Sequence, residues 1–394
     1  MSAAGRRPVL IAGGGVAGLT AALAFARLGV PSRLFERHAS FREIGAGLQL
    51  SPNATCILEG LGVLDELMPL AVRPPSIRMR DARTFREIAR FPLGDWAEKR
   101  WGAPYLVAHR ADLQRALLRT AEKLPDIEIA TGATVAALRQ DHDGVAAQME
   151  TGETVSGRLG IVADGVWSTL RPAGAERGRA RFAGQIAWRC VVEAGGAADA
   201  LVPDHSVGAY LSPGFHVVAY PIAGGAQINV VAFTEGRSIA EDWSARADPA
   251  PLLRHLRGAA PALARLASEP ERWSAFPLHV APEGTRWIEG HIAALGDAAH
   301  AMTPFAAQGA AMAIEDSWCL ARAVAGARNV LDALRKWEAD RRTRVTRVRQ
   351  RGAFNKLVWH AAGPIALARD IALRFARPER LAADLDWLYG YRAA

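Results

Sequence analysis

The stretch VLIAGGGVAGLTAALAFARLGVPSRLFE, residues 9–36, decides the fold. Val9–Ala12 is a short, wholly apolar run, the pattern of a strand buried on both faces of a parallel sheet. Gly13-Gly14-Gly15-Val16-Ala17-Gly18 follows, and an Ala/Leu-rich helix then runs to Arg27 and stops at Gly29. Ser32–Phe35 reads as a second strand, ending at Glu36. Strand, G-x-G-x-x-G, helix, strand and acid are the parts of a dinucleotide-binding unit, in the context that makes the motif specific. Gly13 permits the tight turn, Gly15 lets the backbone approach a pyrophosphate, and Gly18 lets helix pack on strand. The helix start around Ala17 presents N–H groups and partial positive charge to phosphates. Glu36, followed by Arg37, is placed to meet the adenosine ribose. The unit serves NAD and FAD alike, so the rest of the chain must choose.

The 394 residues are 50% hydrophobic and 22% charged, ordinary for a globular protein and enough for two domains. The net charge of +8 is spread along the chain. Its one dense run, Arg341–Arg351, reads as the solvated face of a helix, and nucleic-acid binding is not expected. A mild positive field would also draw in anionic ligands. Cys56, Cys190 and Cys319 form no CxxC pair, so neither a disulfide framework nor a metal site is expected, and a reducing cytoplasm fits. The apolar run after Met1–Pro8 is too short for a signal sequence. No stretch approaches the ~20 apolar residues of a membrane span.

Further segments choose FAD. In Glu43–Asn53, Gly45 and Gly47 bracket an extended piece, and Ser51-Pro52 sets an N-cap with proline at the first helical position. Gly62 would end that helix. Glycines in a strand mark a close backbone approach, here to something like an isoalloxazine ring. His109-Arg110-Ala111-Asp112 opens a helix with the apolar pattern Leu113, Leu117, Leu118, and Arg110 can reach a phosphate or a flavin edge. Ile161–Ser168 is a buried strand ending in Asp164-Gly165, and His291–His300 repeats the logic with Gly296-Asp297. Each puts a carboxylate at a strand's C-terminal end, where open α/β sheets hold ligands. Asp297 can bond a ribityl hydroxyl. Thr303–Ala310 then leads into a helix through Ala323. Gln308 precedes that helix, and the N–H groups at Gly309 and Ala310 can face negative charge developing on a flavin.

Taken together these segments resemble the group A FAD-dependent aromatic hydroxylases, of the para-hydroxybenzoate hydroxylase fold. GGGVAG, ADGVWS and LGDAAHAMTPFAAQGAAMAIED carry the resemblance to the family. GAGLQLSPNA and HRADLQRALL are most similar to the branch of 3-hydroxybenzoate 6-hydroxylase, salicylate hydroxylase and 6-hydroxynicotinate 3-monooxygenase. The resemblance runs from Val9 to about Trp359. It implies an α/β fold of α+β character, with a Rossmann-like FAD-binding domain made of residues 1–180 and 277–330. A mostly antiparallel β-sheet substrate domain would occupy 181–276, with part of 65–105 able to join it, and C-terminal helices 331–394. It also implies one FAD, NADH or NADPH as a transient co-substrate, O₂, a small aromatic substrate, and a monomer or homodimer. FAD is expected to be non-covalent, because no cysteine lies in the Gly-rich or Gly-Asp loops. The chemistry so implied is flavin reduction by NAD(P)H, O₂ addition at flavin C4a, and OH transfer from that hydroperoxide to an electron-rich ring.

The runs Gln185–Trp188, Val217–Tyr220 and Ile228–Val231 read as strands of the sheet over the flavin. His216 and Tyr220 are four apart on one strand and share a face. The family has a similar pair over its substrate, which makes these two the catalytic candidates. His216, with an unperturbed pKa near neutral, would take a phenol proton. Gln49, Pro304 and Phe305 are candidate substrate contacts. Gln49 stands where the 6-hydroxynicotinate enzymes have histidine, and Pro304-Phe305 replaces a polar side chain of close relatives. Arg189 could anchor a carboxylate, but its facing is not legible. Two other classes stay open: a same-fold flavin monooxygenase for a larger polycyclic, antibiotic or isoprenoid substrate, and an NAD-dependent dehydrogenase using the first motif alone.

Overall fold

Apolar runs that do not alternate must be covered on both faces, and two of them, Val9–Ala12 and Leu159–Val162, lie side by side. Val9–Ala12 pairs in parallel with Leu159–Val162 on one side and Ser32–Glu36 on the other. Ile127–Thr131 and Ile292–Ala294 extend this sheet in parallel, and Ile288–Glu289 closes one edge antiparallel. The computed structural model in which this is seen describes residues 7–41, 47–141, 144–172, 180–236, 249–266, 273–282 and 284–393. Helices Val16–Arg27 and Gly309–Ala325 pack against Val9, Ile11 and Leu34 of the sheet through Leu19, Leu23 and Ile314. A meander of Val135–Asp141, Gly144–Met149 and Thr154–Gly157 packs Val135, Ala147 and Met149 against Leu10, Ala12 and Phe35. Strand order runs outward in both directions from Val9–Ala12 and Leu159–Val162. The crevice at their C-terminal ends is the switch point where such sheets bind ligands, and Gly13 and Asp164 stand there.

The second sheet is also covered on both faces at its centre, where Val207–Ser212 and Phe215–Ile222 are buried throughout. Its order is Ser274–Val280, Arg181–Glu193, Gln227–Glu235, Phe215–Ile222, Val207–Ser212, Ser76–Asp81 and Glu87–Pro92. Neighbours are antiparallel except Val207–Ser212 beside Ser76–Asp81. The sheet therefore takes two strands from 76–92 and runs on to Val280. The period of two sends Val218 and Tyr220 to one face, where they join Val231, Phe233 and Phe276 in the main core. Val217 and Ala219 point the other way, against Trp188, Val230, Leu252 and Leu256.

Val330–Trp359 is one long helix, followed by Gly363–Phe375 and Pro378–Ala383. It corrects the expectation of a solvated arginine face. Arg341 is 1% exposed and Arg344 8%, while Arg347 stays exposed. The reason lies in the neighbouring helix, which presents Glu315 and Asp316, both 0% exposed. Residues three apart share a helix face, so Arg341 and Arg344 both turn toward these acids. Among the described residues no helix is long and apolar enough to cross a membrane, and no His/Cys/Asp/Glu group is arranged to hold a metal.

Candidate active site

The phosphate loop is built by backbone contact. Gly13 has φ +111°, and a Cβ there would sit 2.4 Å from Ala163 O. A Cβ on Gly18 would sit 1.9 Å from Gly13 O, which is the close helix–strand approach that the motif requires. A Cβ on Gly15 would meet nothing within 4 Å, so this side of the loop is open. Helix Val16–Arg27 begins there without a side-chain cap, and Ala17 lies in its first turn with free N–H groups around it. Glu36 Oε2 accepts from Gly14 N at 2.9 Å and Oε1 from His38 N at 2.9 Å. A carboxylate has about four acceptor positions, so capacity for ribose hydroxyls remains. Arg37 is exposed just beyond. Arg110 is the first residue of helix Arg110–Glu122, whose cap is the His109 side chain accepting from Ala111 N at 3.1 Å. The same helix ties itself to the loop, with Gln114 Nε2 donating to Gly14 O at 3.2 Å.

Asp164 supplies the test of whether a dinucleotide fits. Its Oδ2 accepts from Thr169 N at 3.1 Å and Leu170 N at 3.4 Å, but Oδ1 is buried with no partner. Burial raises its pKa. A buried carboxylate oxygen without a donor, at the switch point beside Gly13, fits a hydroxyl-bearing ligand such as FAD.

The second loop rests on side chains. Asp297 opens the short helix Asp297–His300 and is exposed. Behind it, Asp316 Oδ2 accepts from Gly296 N at 3.1 Å and lies 2.5 Å from His300 Nε2. Arg341 Nε donates to Asp316 Oδ1 at 2.8 Å and Nη1 to Glu315 Oε2 at 2.7 Å. Burial alone would raise Asp316, but His300 and Arg341 bring its pKa down to about 2. Glu315 Oε1 accepts from Asn53 Nδ2 at 2.7 Å, and Asn53 also donates to Gln308 Oε1 at 3.1 Å. Gln308 in turn donates to Ser51 Oγ at 2.8 Å. Gln308 thus holds the start of helix Gly309–Ala325, whose first turn, with Gly309 and Ala310, has no side-chain cap. Ala307 before it is left-handed at φ 52°, a strain of roughly 1–2 kcal/mol for a residue with a Cβ.

The inner sheet face forms the third wall. Gly47 N donates to Asn229 Oδ1 at 2.9 Å, and a Cβ on Gly47 would lie 2.5 Å from Tyr220 Cε2. That close approach is the reason for a glycine; Gly45 lies outside the described residues. Gln49 Oε1 accepts from the Tyr105 hydroxyl at 2.7 Å. Burial, then Tyr389 and Tyr220, push Tyr105 well above the usual tyrosine value. Burial likewise raises Tyr220 and brings Tyr389 to about 12.

His216 is 1% exposed. Phe233 stacks on it at 4.6 Å between centroids, Phe305 lies at 5.5 Å and Trp359 meets it edge-on at 5.0 Å. Its Nδ1 is 2.8 Å from His360 Nε2. Burial, and then His360, hold its pKa well below the usual histidine value, which corrects the near-neutral value expected from sequence. Pro304 and Phe305 form a 3₁₀ turn fixed by Asn355 Nδ2 donating to Phe305 O at 2.9 Å. His216 and Tyr220 share a face but stand about 13 Å apart, at roughly 3.3 Å per residue. His216 is therefore brought to Phe305, Tyr220 to Gly47, and Gln49 to Tyr105. Arg189 takes the same face: it pairs opposite Val231, which pairs opposite Val218. Its guanidinium lies 4.6 Å from the Phe276 ring centroid. Sequence reading missed Asn229, Tyr105, Tyr389 and His360. Only Asn229 left a signal, as a polar residue on an apolar strand.

The FAD binding domain family matches residues 6–352. The chain is 31% identical to 3-hydroxybenzoate 6-hydroxylase 1 of Aquipseudomonas alcaligenes, over 97% of each chain. It is 35% identical to 3-amino-4-hydroxybenzoate 2-monooxygenase PtmB3 of Streptomyces platensis, over 99% of this chain and 97% of that one. Klebsiella pneumoniae HpxO, solved with FAD and uric acid, superposes with a TM-score of 0.83 at 26% identity, covering 97% of this chain and 96% of that one. The chain belongs to the group A FAD-dependent aromatic hydroxylases and is an FAD-dependent monooxygenase.

Proposed function

We propose that the chain hydroxylates a small aromatic acid bearing a ring hydroxyl, with NADH or NADPH and O₂ as co-substrates. One observation carries this reading: His216, Tyr220 and Arg189 lie on a single sheet face, with Phe305 against His216 and Gly47 against Tyr220. FAD supplies oxygen activation and transfer when bound. Gly13, Gly15, Ala17, Gly18 and Arg110 hold its phosphates, Glu36 and Arg37 its adenosine end, and Asp164, Gly296 and Asp297 its ribityl chain. Gly47, Gln308, Gly309 and Ala310 border the ring.

The chain's other residues act on the substrate. His216 accepts the phenol proton, since a phenolate ring is far more electron-rich than a phenol. Arg189 pairs with the carboxylate. Phe305 and Phe233 exclude water around His216. Tyr220 keeps its proton at working pH and donates a hydrogen bond, while Gln49 and Pro304 shape the rim. The named relatives support this reading, because 3-hydroxybenzoate and 3-amino-4-hydroxybenzoate each combine a carboxylate with a ring hydroxyl.

FAD is held without a covalent bond in this reading. Cys190 is buried in the sheet, Cys319 lies inside the flavin helix, and His300 Nε2 is engaged by Asp316. Acid precipitation should leave all the yellow colour in the supernatant.

A panel of aromatic acids, scored for coupled O₂ uptake and NAD(P)H oxidation, tests the function. Stimulation by hydroxybenzoates or aminohydroxybenzoates is expected. Arg189→Leu should raise KM for the active acid by roughly tenfold or more with a smaller change in kcat, as loss of uniform binding does. Stimulation confined to bulky neutral polycycles or isoprenoids would overturn the small-acid reading.

A further inference from the structure

His216 and His300 are both 1% exposed, yet they are given opposite partners. His300 Nε2 faces the Asp316 carboxylate, which can balance a positive ring. His216 Nδ1 faces another imidazole, His360 Nε2, at 2.8 Å. Among the described residues this is the only side-chain hydrogen bond that His216 makes, and Phe233, Phe305 and Trp359 close around the ring. A cation on a ring so buried, with no carboxylate bonded to it among the described residues, is costly to keep. Imidazole can, however, take a proton on one nitrogen and release one from the other. The partner of His216 thus suits conduction.

The surroundings of His360 point the same way. It ends the long helix, donating its N–H to Lys356 O at 3.0 Å, and is half-buried, so it reaches solvent while His216 does not. The charged and titratable groups around it come from five elements. Lys356 lies on its own helix, Glu235 at the end of strand Gln227–Glu235, His255 on helix Ala250–Arg257, and His216 on the sheet. Arg369 also lies nearby, donating to the carbonyls of Val358 and Trp359. Burial, then Lys356 and His255, bring the pKa of His360 down to about 4, while Glu235 acts the other way.

We propose that His216 and His360 form a two-ring proton relay, in which the phenol proton enters at His216 Nε2 and leaves to solvent from His360 Nδ1. This rests on His216 being the acceptor of the phenol proton. In the resting pair His216 carries its proton on Nδ1 and donates to His360 Nε2, leaving the His216 Nε2 lone pair for the substrate. The phenol O–H breaks and Nε2–H forms, Nδ1–H passes to His360 Nε2, and His360 Nδ1–H passes to water. The substrate becomes a phenolate, both rings end neutral with their tautomers exchanged, and no electrons move. His360 is a positioning and relay residue, since it touches His216 and not the substrate.

The test uses the FAD-loaded enzyme with 3-hydroxybenzoate as the probe phenol, following phenolate formation by ultraviolet difference absorbance after a pH jump. His360→Ala should keep FAD and the final phenolate fraction but slow its appearance by about tenfold or more, within the range of general-base effects. Added imidazole should restore the rate in His360→Ala, which a packing role would not allow. His360→Gln, which keeps the volume and a hydrogen bond but cannot exchange protons between two ring nitrogens, should stay slow. A wild-type rate in His360→Ala or His360→Gln, together with a slow His216→Ala, overturns the relay and leaves the base in place. Wild-type rates in both His216→Ala and His360→Ala, or no phenolate in the wild type, overturn the base assignment and the relay with it.

Discussion

Two regions build the loops proposed to hold FAD, and they are made of opposite materials. The segment Val9–Gly18 is local backbone: one strand, one turn, one helix start, with glycines where atoms must touch. The cluster of Asn53, Gln308, Glu315, Asp316, Arg341 and Arg344 is long-range side-chain chemistry, drawn from three helices and the loop that starts one of them. The first region binds by shape and by N–H groups that exist in any helix start. The second binds by charges that water would otherwise take, so it holds only while every member is present. A region of the first kind can lose its ligand and keep its fold. A region of the second kind should lose both together.

Stability of the FAD-free chain, measured by urea unfolding, puts the two on one scale. The largest expected effect is Arg341→Ala. It takes one shared cation from buried Glu315 and Asp316, leaving Arg344 to the first and His300 to the second, and removing one partner of a buried ion pair costs about 3–5 kcal/mol. A loss below about 1 kcal/mol would mean that the cluster is solvated after all. Next comes acid. Asp316 has its folded-state pKa lowered from 3.8 to about 2, so its contribution is complete above its unfolded value. That contribution, on the order of 2 kcal/mol, is lost as pH falls through the folded value. An acid limb that is unchanged in Asp316→Asn would show that other carboxylates set it.

Gly15→Val is a smaller perturbation of the fold and a complete one of the ligand. The open space around its Cβ predicts a stability within about 1 kcal/mol of wild type, with no FAD retained on gel filtration. A yellow Gly15→Val protein would break the comparison at its first term. Asp297→Ala is expected to be the mildest. Its exposed position predicts a change within about 0.5 kcal/mol in the FAD-free chain. FAD affinity should still fall by roughly tenfold, the scale of one hydrogen bond to a charged group.

The same contrast explains what was legible in the sequence. The first strand, the loop, the helix to Arg27 and the strand at Ser32 were readable because each follows from neighbours a few residues away. The inner face of the second sheet was readable in part, since His216 and Tyr220 obey the period of two. Whether Arg189 joined that face was not, because strand register is a long-range property. The arginines of the long helix misled for a physical reason. A helix with charge at nearly every turn looks solvated until its neighbour supplies carboxylates, and Glu315-Asp316 lies some distance back in an otherwise apolar segment. Tyr105, Tyr389 and His360 were invisible for the same cause: each gains its place from a partner far away in the chain.

Arg344 adds one more consequence, because its Nη1 and Nη2 donate to the carbonyls of Trp387 and Leu388. Synthesis proceeds from the N-terminus, so the phosphate loop, both sheets and the flavin helix emerge before Arg341, Arg344 or those two carbonyls. Until the arginines arrive, Glu315 and Asp316 cannot leave water as a charged pair. The flavin helix therefore cannot seat, and neither Gly296 nor Gln308 has its anchor. The order of this helix start thus depends on residues that come later in the chain than every strand of both sheets.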